Sequence, residues 1–98
     1  MELLPFIQAI QGRDEKFFQL IKGLQELTFG ESALDVKTKL LISLAVDACS
    51  GVSEGVSNIS AMLRQMGTSE EEIAEVLRIV YFAIGSKVLI TSLAADQK

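Results

Sequence analysis

Residues 68–84 read TSEEEIAEVLRIVYFAI, and this stretch decides the fold class. Ser69 followed three residues later by Glu72 forms a capping box, in which hydroxyl and carboxylate satisfy the free backbone donors at the start of a helix. Glu70, Glu71 and Glu72 also favour the positive end of the helix dipole. Beyond the cap, Ile73, Val76, Leu77, Val80, Tyr81 and Ile84 return at helical spacing and mark one buried face. Past Arg78 the other side is apolar as well, through Ile79, Phe82 and Ala83. A helix with two apolar faces needs two partners, one of them another subunit. Gly85-Ser86 then reads as a break, with a short closing helix over 87–95 that carries Val88, Leu89, Ile90 and Leu93.

Working back from this helix, Gly67 fits the left-handed position just past a helix end. Val52, Val56, Ile59, Leu63 and Met66 are spaced four, three, four and three apart, which places them on one face of the preceding helix. Asp35 is suited to cap a helix running through Leu40 to Val46, apolar nearly all round and therefore expected to be the most buried. Upstream, Asp14 caps a helix whose apolar stripe is Phe17, Leu20, Ile21, Leu24 and Leu27, and Gly30 punctuates its end. Pro5, the chain's one proline, suits the first turn of a short helix over 6–11 that stops at Gly12. No segment shows sustained strand-like alternation. The expected class is all-α, a compact domain of about five to six helices that assembles into oligomers.

Length and composition constrain the rest. Ninety-eight residues with no repeat and no linker-like run fit one domain, 1–98. Hydrophobic residues make up 49% of the chain, and its mean hydropathy is +0.36. That is more apolar surface than so small a domain can hide by itself, so subunit association is expected. A net charge of −4, with nine scattered basic residues, argues against binding nucleic acid. Met1-Glu2-Leu3-Leu4-Pro5 has an acid where a secretory signal carries positive charge, and the apolar runs are too short to span a bilayer. A single cysteine provides no disulfide framework, and a soluble cytoplasmic protein is expected. No cofactor or metal site is indicated.

Two segments carry a family resemblance. Leu34-Asp35-Val36-Lys37-Thr38-Lys39-Leu40-Leu41-Ile42-Ser43-Leu44-Ala45-Val46, followed by Met66-Gly67-Thr68-Ser69-Glu70-Glu71-Glu72-Ile73-Ala74-Glu75-Val76-Leu77, resembles the carboxymuconolactone decarboxylase family, which includes the alkylhydroperoxidase D proteins. The shared pattern is a leucine-aspartate start, paired basic residues, an apolar alanine-containing helix, and a glycine before a threonine-containing cap and a run of acids. It extends over roughly 14–95. The resemblance implies helical protomers built into trimers or hexamers. In redox members, a glutamate on the apolar helix precedes a Cys-x-x-Cys pair opening the next helix, with a histidine one turn on. Counted from both anchors, those positions fall on Leu40, Val52, Gly55 and Ile59, and all four are nonpolar here. A thiol must ionise to attack, and its disulfide needs a second sulfur nearby, which a lone Cys49 cannot offer. The decarboxylase branch resembles an enzyme relying on histidine, and this chain has none.

The remaining candidates have structural and chemical readings. Cys49 lies three residues before the first motif position, so it is not that cysteine shifted by a small misalignment. It reads first as a small buried hydrophobe. If Ser50 caps the following helix, Cys49 would stand just outside a helix N-terminus, in an arrangement that suits a one-cysteine peroxidase, although Asp47 and Glu54 are nearby acids. Glu54 reads first as a complement to the helix dipole. Were it partly buried near Val52 and Ile59, it could serve as an acid or base on a small lactone-like or carboxylate substrate. Ser50, Ser53 and Ser57 lack a base and read as caps and packing. Glu70, Glu71 and Glu72 point in different directions, unlike metal ligands. Tyr81, Phe82, Met62 and Met66 read as core before they read as the lining of an apolar pocket. The functional expectation is therefore a catalytically degenerate family member acting as an oligomeric binding or structural module, with a small apolar or carboxylate ligand as its possible cargo. The alternative is an enzyme that keeps the family pocket.

Overall fold

The computed structural model describes residues 1–96, and among these there are helices and connecting turns but no strand. Five α-helices follow in order: α1 (Pro5–Gln8), α2 (Glu15–Phe29), α3 (Val36–Cys49), α4 (Ser53–Gln65) and α5 (Glu70–Ser92), and a 3₁₀ turn (Leu93–Asp96) closes the described chain. The Cα positions group into two compact units, Met1–Lys39 and Leu40–Lys98.

In the first unit, Pro5 occupies the opening turn of α1, which is a single turn rather than the helix over 6–11 read from the sequence. The chain then turns through Gly12, whose φ of 88° is left-handed. Asp14 caps α2 by accepting a hydrogen bond from the Phe17 amide at 3.1 Å, as its sequence position implies. The face that α2 buries is a different one from the expected stripe. Phe18 and Gln25 are enclosed and Ile21 is half-buried, whereas Phe17, Leu20, Leu24 and Leu27 are exposed. Gln25 is tolerated inside because its carboxamide oxygen and nitrogen each have a partner. Its Oε1 accepts from the Leu4 amide at 3.1 Å, and its Nε2 donates to the Glu2 carbonyl at 2.9 Å. A buried amide without those partners would cost about 1–3 kcal/mol. The carboxamide thus ties the extended N-terminal residues to α2. At the end of the helix, Lys39 Nζ donates to the Gly30 carbonyl at 2.6 Å and to Ser32 Oγ at 2.9 Å, which pins the connection to α3.

The second unit is organised around Leu40 and Leu44 of α3, Ile59 and Leu63 of α4, and Ile73 of α5, all buried. Asp35 does cap α3, accepting from the Thr38 amide at 2.7 Å, and this hydrogen bond holds its carboxyl below the usual range. Burial of α3 is one-sided, since Ile42 and Val46 are about half exposed. Both corners of this unit are Schellman turns built on a glycine. At the end of α3, the Val52 amide bonds back to the Asp47 carbonyl at 2.9 Å and Gly51 takes φ 72°. At the end of α4, the Thr68 amide bonds to the Leu63 carbonyl at 3.0 Å, the Gly67 amide to the Arg64 carbonyl at 3.0 Å, and Gly67 takes φ 86°. The hydrophobic contact that accompanies such a turn draws Thr68 inward beside Leu63, and both residues are buried.

The capping box of α5 is formed as read: Ser69 Oγ accepts from the Glu72 amide at 3.1 Å, and Glu72 Oε1 accepts from the Ser69 amide at 3.1 Å. Across the same corner, Arg64 grips Glu70 with two nitrogens, at 2.5 and 3.1 Å. Gly85-Ser86 does not interrupt α5, which continues unbroken to Ser92. A mid-helix glycine costs only about 1 kcal/mol relative to alanine, and Ser86 Oγ turns back onto the Phe82 carbonyl at 2.7 Å without breaking the ladder. The inward face of α5 is also narrower than expected. Ile73 is buried and Val76 and Val80 are half-buried, but Tyr81 and Phe82 are exposed and are not core residues. From Ile79 to Ile90 the helix shows apolar side chains to solvent on nearly every side, including Val88 and Leu89.

Candidate functional site

The four positions to which the family resemblance assigns the redox motif lie in the second unit, on α3, at the α3–α4 corner and on α4. Leu40 and Ile59 are core residues, 1% and 3% exposed. A glutamate or histidine at either place would have to be taken out of water, whereas the leucine and isoleucine found there each contribute about 1.5–3 kcal/mol by their burial. Val52 is half exposed. It closes the Schellman turn of α3 and is at once the residue before the first turn of α4, with no side chain that could cap it.

Gly55 is crowded by a neighbour whose side chain would have to shift to admit a Cβ. A Cβ at this position would lie 2.8 Å from Asp47 Cγ, closer than real Cβ atoms approach, and 3.2 Å from Val52 Cγ1, a tight contact. The Asp47 carboxylate therefore leans into the space that the side chain at position 55 would need. The sequence offered no direct signal for this. Asp47 read only as a charge near Cys49, and its reach toward the first turn of α4 depends on the tight corner at Gly51.

Cys49 is the last residue of α3 and is exposed, not buried. Ser50 is not the cap of α4, because its amide closes α3 by bonding to the Val46 carbonyl at 2.9 Å, and α4 begins only at Ser53. The thiol consequently sits at the negative end of the α3 dipole instead of outside a helix N-terminus. Ser50 Oγ lies 4.0 Å from the thiol sulfur. Glu54 lies in the first turn of α4 and is exposed, so the partial burial that would suit it to acid or base work is not present in this chain. Ser60 Oγ donates to the Ser57 carbonyl, the ordinary use of a helix serine.

Among the described residues, no group of three or more acidic, cysteine or histidine side chains is arranged to hold a metal ion. Nor is any described helix long and apolar enough to cross a membrane. A shallow, open depression on α2 is lined by Glu15, Lys16, Gln19 and Leu20, none of which is a motif position. Among the described residues, one buried side-chain polar atom is orphaned: Thr68 Oγ1 has no hydrogen-bond partner. Sequence patterning gave no warning of it, because threonine at that point is an ordinary prelude to a helix cap.

Comparison with known proteins agrees with the resemblance carried by the two anchoring segments. A family model described as the carboxymuconolactone decarboxylase family matches residues 15–98. An uncharacterized protein of Methanocaldococcus jannaschii is 30% identical over 89 residues, which cover 91% of this chain and 83% of that one. A second uncharacterized protein of the same organism is 31% identical over 81 residues, covering 81% of this chain and 77% of its own. No solved structure matches the chain. The matched region takes in α2 to α5 with both anchoring segments, the Asp35 cap of α3 and the Ser69 capping box of α5. The chain is a member of the carboxymuconolactone decarboxylase family.

Proposed function

We propose that this chain is a member of its family without either of the family's chemistries, a cytoplasmic, single-domain protein that works as a homo-oligomeric binding or structural module. The observation that carries this reading is the state of the four motif positions. Two are apolar core residues, one is a glycine crowded by Asp47, and one is a valine at a helix corner. With one cysteine and no histidine in the chain, neither a thiol pair nor an imidazole is available to substitute for them. The assembly part of the proposal is supported by the exposed apolar side chains of α2 and α5, which exceed the isolated ones common on monomer surfaces.

The test is direct. The purified protein is assayed for hydroperoxide turnover with a dithiol reductant and for decarboxylation of small lactones, beside Cys49→Ser and Glu54→Gln. The expected result is no turnover above buffer in any of the three. Turnover abolished by Cys49→Ser would replace the proposal with a one-cysteine peroxidase, and turnover abolished by Glu54→Gln with an acid–base enzyme. Native mass spectrometry of the same preparation reads the assembly and any retained ligand, with a trimer or hexamer expected.

A further inference from the structure

We infer that residues 2–8 are a reversible strap, and that the seat they occupy on α2 is a recognition site for an extended peptide segment of a partner protein. The inference goes beyond the proposed function and is independent of it, because the motif positions lie in the other unit. The seat is defined by hydrogen bonding. Buried Gln25 accepts at Oε1 from the Leu4 amide, at 3.1 Å, and donates from Nε2 to the Glu2 carbonyl, at 2.9 Å. Those two backbone groups flank Leu3. A residue of a neighbouring parallel strand bonds a chain at the same two points, one carbonyl and the amide two residues on. One buried carboxamide therefore does for residues 2–4 what a sheet edge does for an added strand. It reads backbone, so any residue with an amide hydrogen is accepted at the third position. Side-chain selectivity comes next in the chain, where Pro5 opens the single turn that lies against α2 and carries buried Ile7. A fitting partner segment is extended over three residues, then has a proline, then an aliphatic residue two places further on.

The strap is lightly held. Ile7 is the one enclosed side chain among residues 1–14, while Met1 and Phe6 are 55% and 67% exposed. Helix α1 has four residues and an N-cap, Leu4, that brings no side-chain hydrogen bond, and a helix so short has no stability of its own. Behind it, Gly12 takes φ 88° and a Cβ there would meet nothing within 4 Å, so the pivot is open. A segment with so few buried contacts opens locally, well before the chain unfolds. A second copy's identical strap is a poor competitor for the vacated seat, because the tethered strap is present there at an effective concentration on the order of millimolar. A partner segment whose side chains fit better displaces it, and this selects a different polypeptide as the occupant.

The test follows amide exchange and peptide binding in the full chain. The probe is a fluorescein-labelled peptide of residues 1–10, MELLPFIQAI. Leu4 has φ −63° and ψ 143°, angles that proline itself adopts, so Leu4→Pro removes the amide donor at little backbone cost. In the wild type, the amides of Leu4, Ile7 and Gln8 should exchange at least about a hundred-fold faster than those of Ile21 and Lys22 inside α2. In Leu4→Pro, Ile7 and Gln8 should exchange about ten-fold faster still, and the peptide should bind about ten-fold tighter than to the wild type, because the seat is vacant for more of the time. A peptide that itself carries Leu4→Pro should not bind. Nor should the unmodified peptide bind to Gln25→Met, which keeps an unbranched side chain but loses the amide donor and the carbonyl acceptor. Strap amides as protected as those of Ile21 and Lys22 would overturn the reversible strap. Fast exchange with no peptide bound by Leu4→Pro, or equal binding to Gln25→Met, would overturn the peptide site. Either failure leaves the proposed function standing.

Discussion

Placing a carboxyl at position 40, where the family resemblance places the glutamate of redox members, tests how completely this position is closed to water. Leu40 is among the most enclosed side chains of the protein. Leu40→Glu forfeits about 1.5–3 kcal/mol of burial and places an unpartnered polar group in the core at a further cost of about 1–3 kcal/mol. Leu40→Gln incurs nearly the same two losses without a titratable group, so the pair isolates the charge. In the folded state, burial disfavours the ionised form of the introduced carboxyl and raises its pKa above the unfolded value near 4.3. The unfolded chain then binds fewer protons than the folded one above that pH, and stability falls as pH rises. Leu40→Glu and Leu40→Gln should therefore be about equally stable at pH 4. They should diverge by about 1.4 kcal/mol per pH unit above 4.3 until the folded pKa is reached. By pH 7 the excess is up to about 3.7 kcal/mol, enough with the other losses to exhaust a typical domain's 5–15 kcal/mol. Urea denaturation at fixed protein concentration from pH 4 to 7 measures this, and points at pH 5 and 6 remain informative if the variant is unfolded at 7. Glu and Gln variants that stay equally stable across the range would show that position 40 is wet or supplied with a partner, and the closed-site reasoning would fail.

Three further outcomes follow from the second unit. In an Asp47→Ala background, Gly55→Ala should stabilise by about 1 kcal/mol through helix propensity, whereas in the wild type the gain should be smaller because the Asp47 side chain must shift. Equal effects in both backgrounds would deny the crowding. Thr68→Val keeps the side-chain shape and removes the orphaned hydroxyl, so thermal unfolding should show a gain of about 1 kcal/mol; a loss would mean that Thr68 Oγ1 has a partner. The hydrogen bond and charge of Arg64 hold the Glu70 carboxyl below its ordinary range. Its folded pKa is below its unfolded one, so the contribution is present above the ordinary carboxylate range and fades as pH falls through the lowered value. The difference in Tm between wild type and Glu70→Gln should shrink on acidification and in high salt.

Helix starts were legible in the sequence because capping is local. Asp14, Asp35 and Ser69 each accept from an amide three residues on, and residue type alone announces that. Facing was less legible. The stripe Phe17, Leu20, Leu24 and Leu27 has helical spacing, yet it is Phe18 and Gln25 that α2 encloses, since periodicity marks a face that will be covered without saying by what. Gln25 escaped notice because its burial depends on backbone groups more than twenty residues away. The continuity of α5 through Gly85-Ser86 was hidden for a quantitative reason, a local cost of about 1 kcal/mol being small beside the cooperativity of a helix of 23 residues. At the candidate site, the nonpolar replacements could be read directly. The presence of Asp47 beside Gly55 could not, because it depends on the geometry of a corner.

That corner also governs where the chain can accommodate extra length. Val52 completes the last turn of α3 through its amide while its own carbonyl accepts the Val56 amide that begins α4, so one residue serves two helices and no slack separates them. An inserted residue between 50 and 53 would have to uncouple one helix to spare the other. At 31–34, by contrast, the residues are exposed and outside any helix, and added length can loop out into water. Length variation among relatives should accordingly gather before α3 and avoid the α3–α4 joint, for a reason of backbone geometry alone.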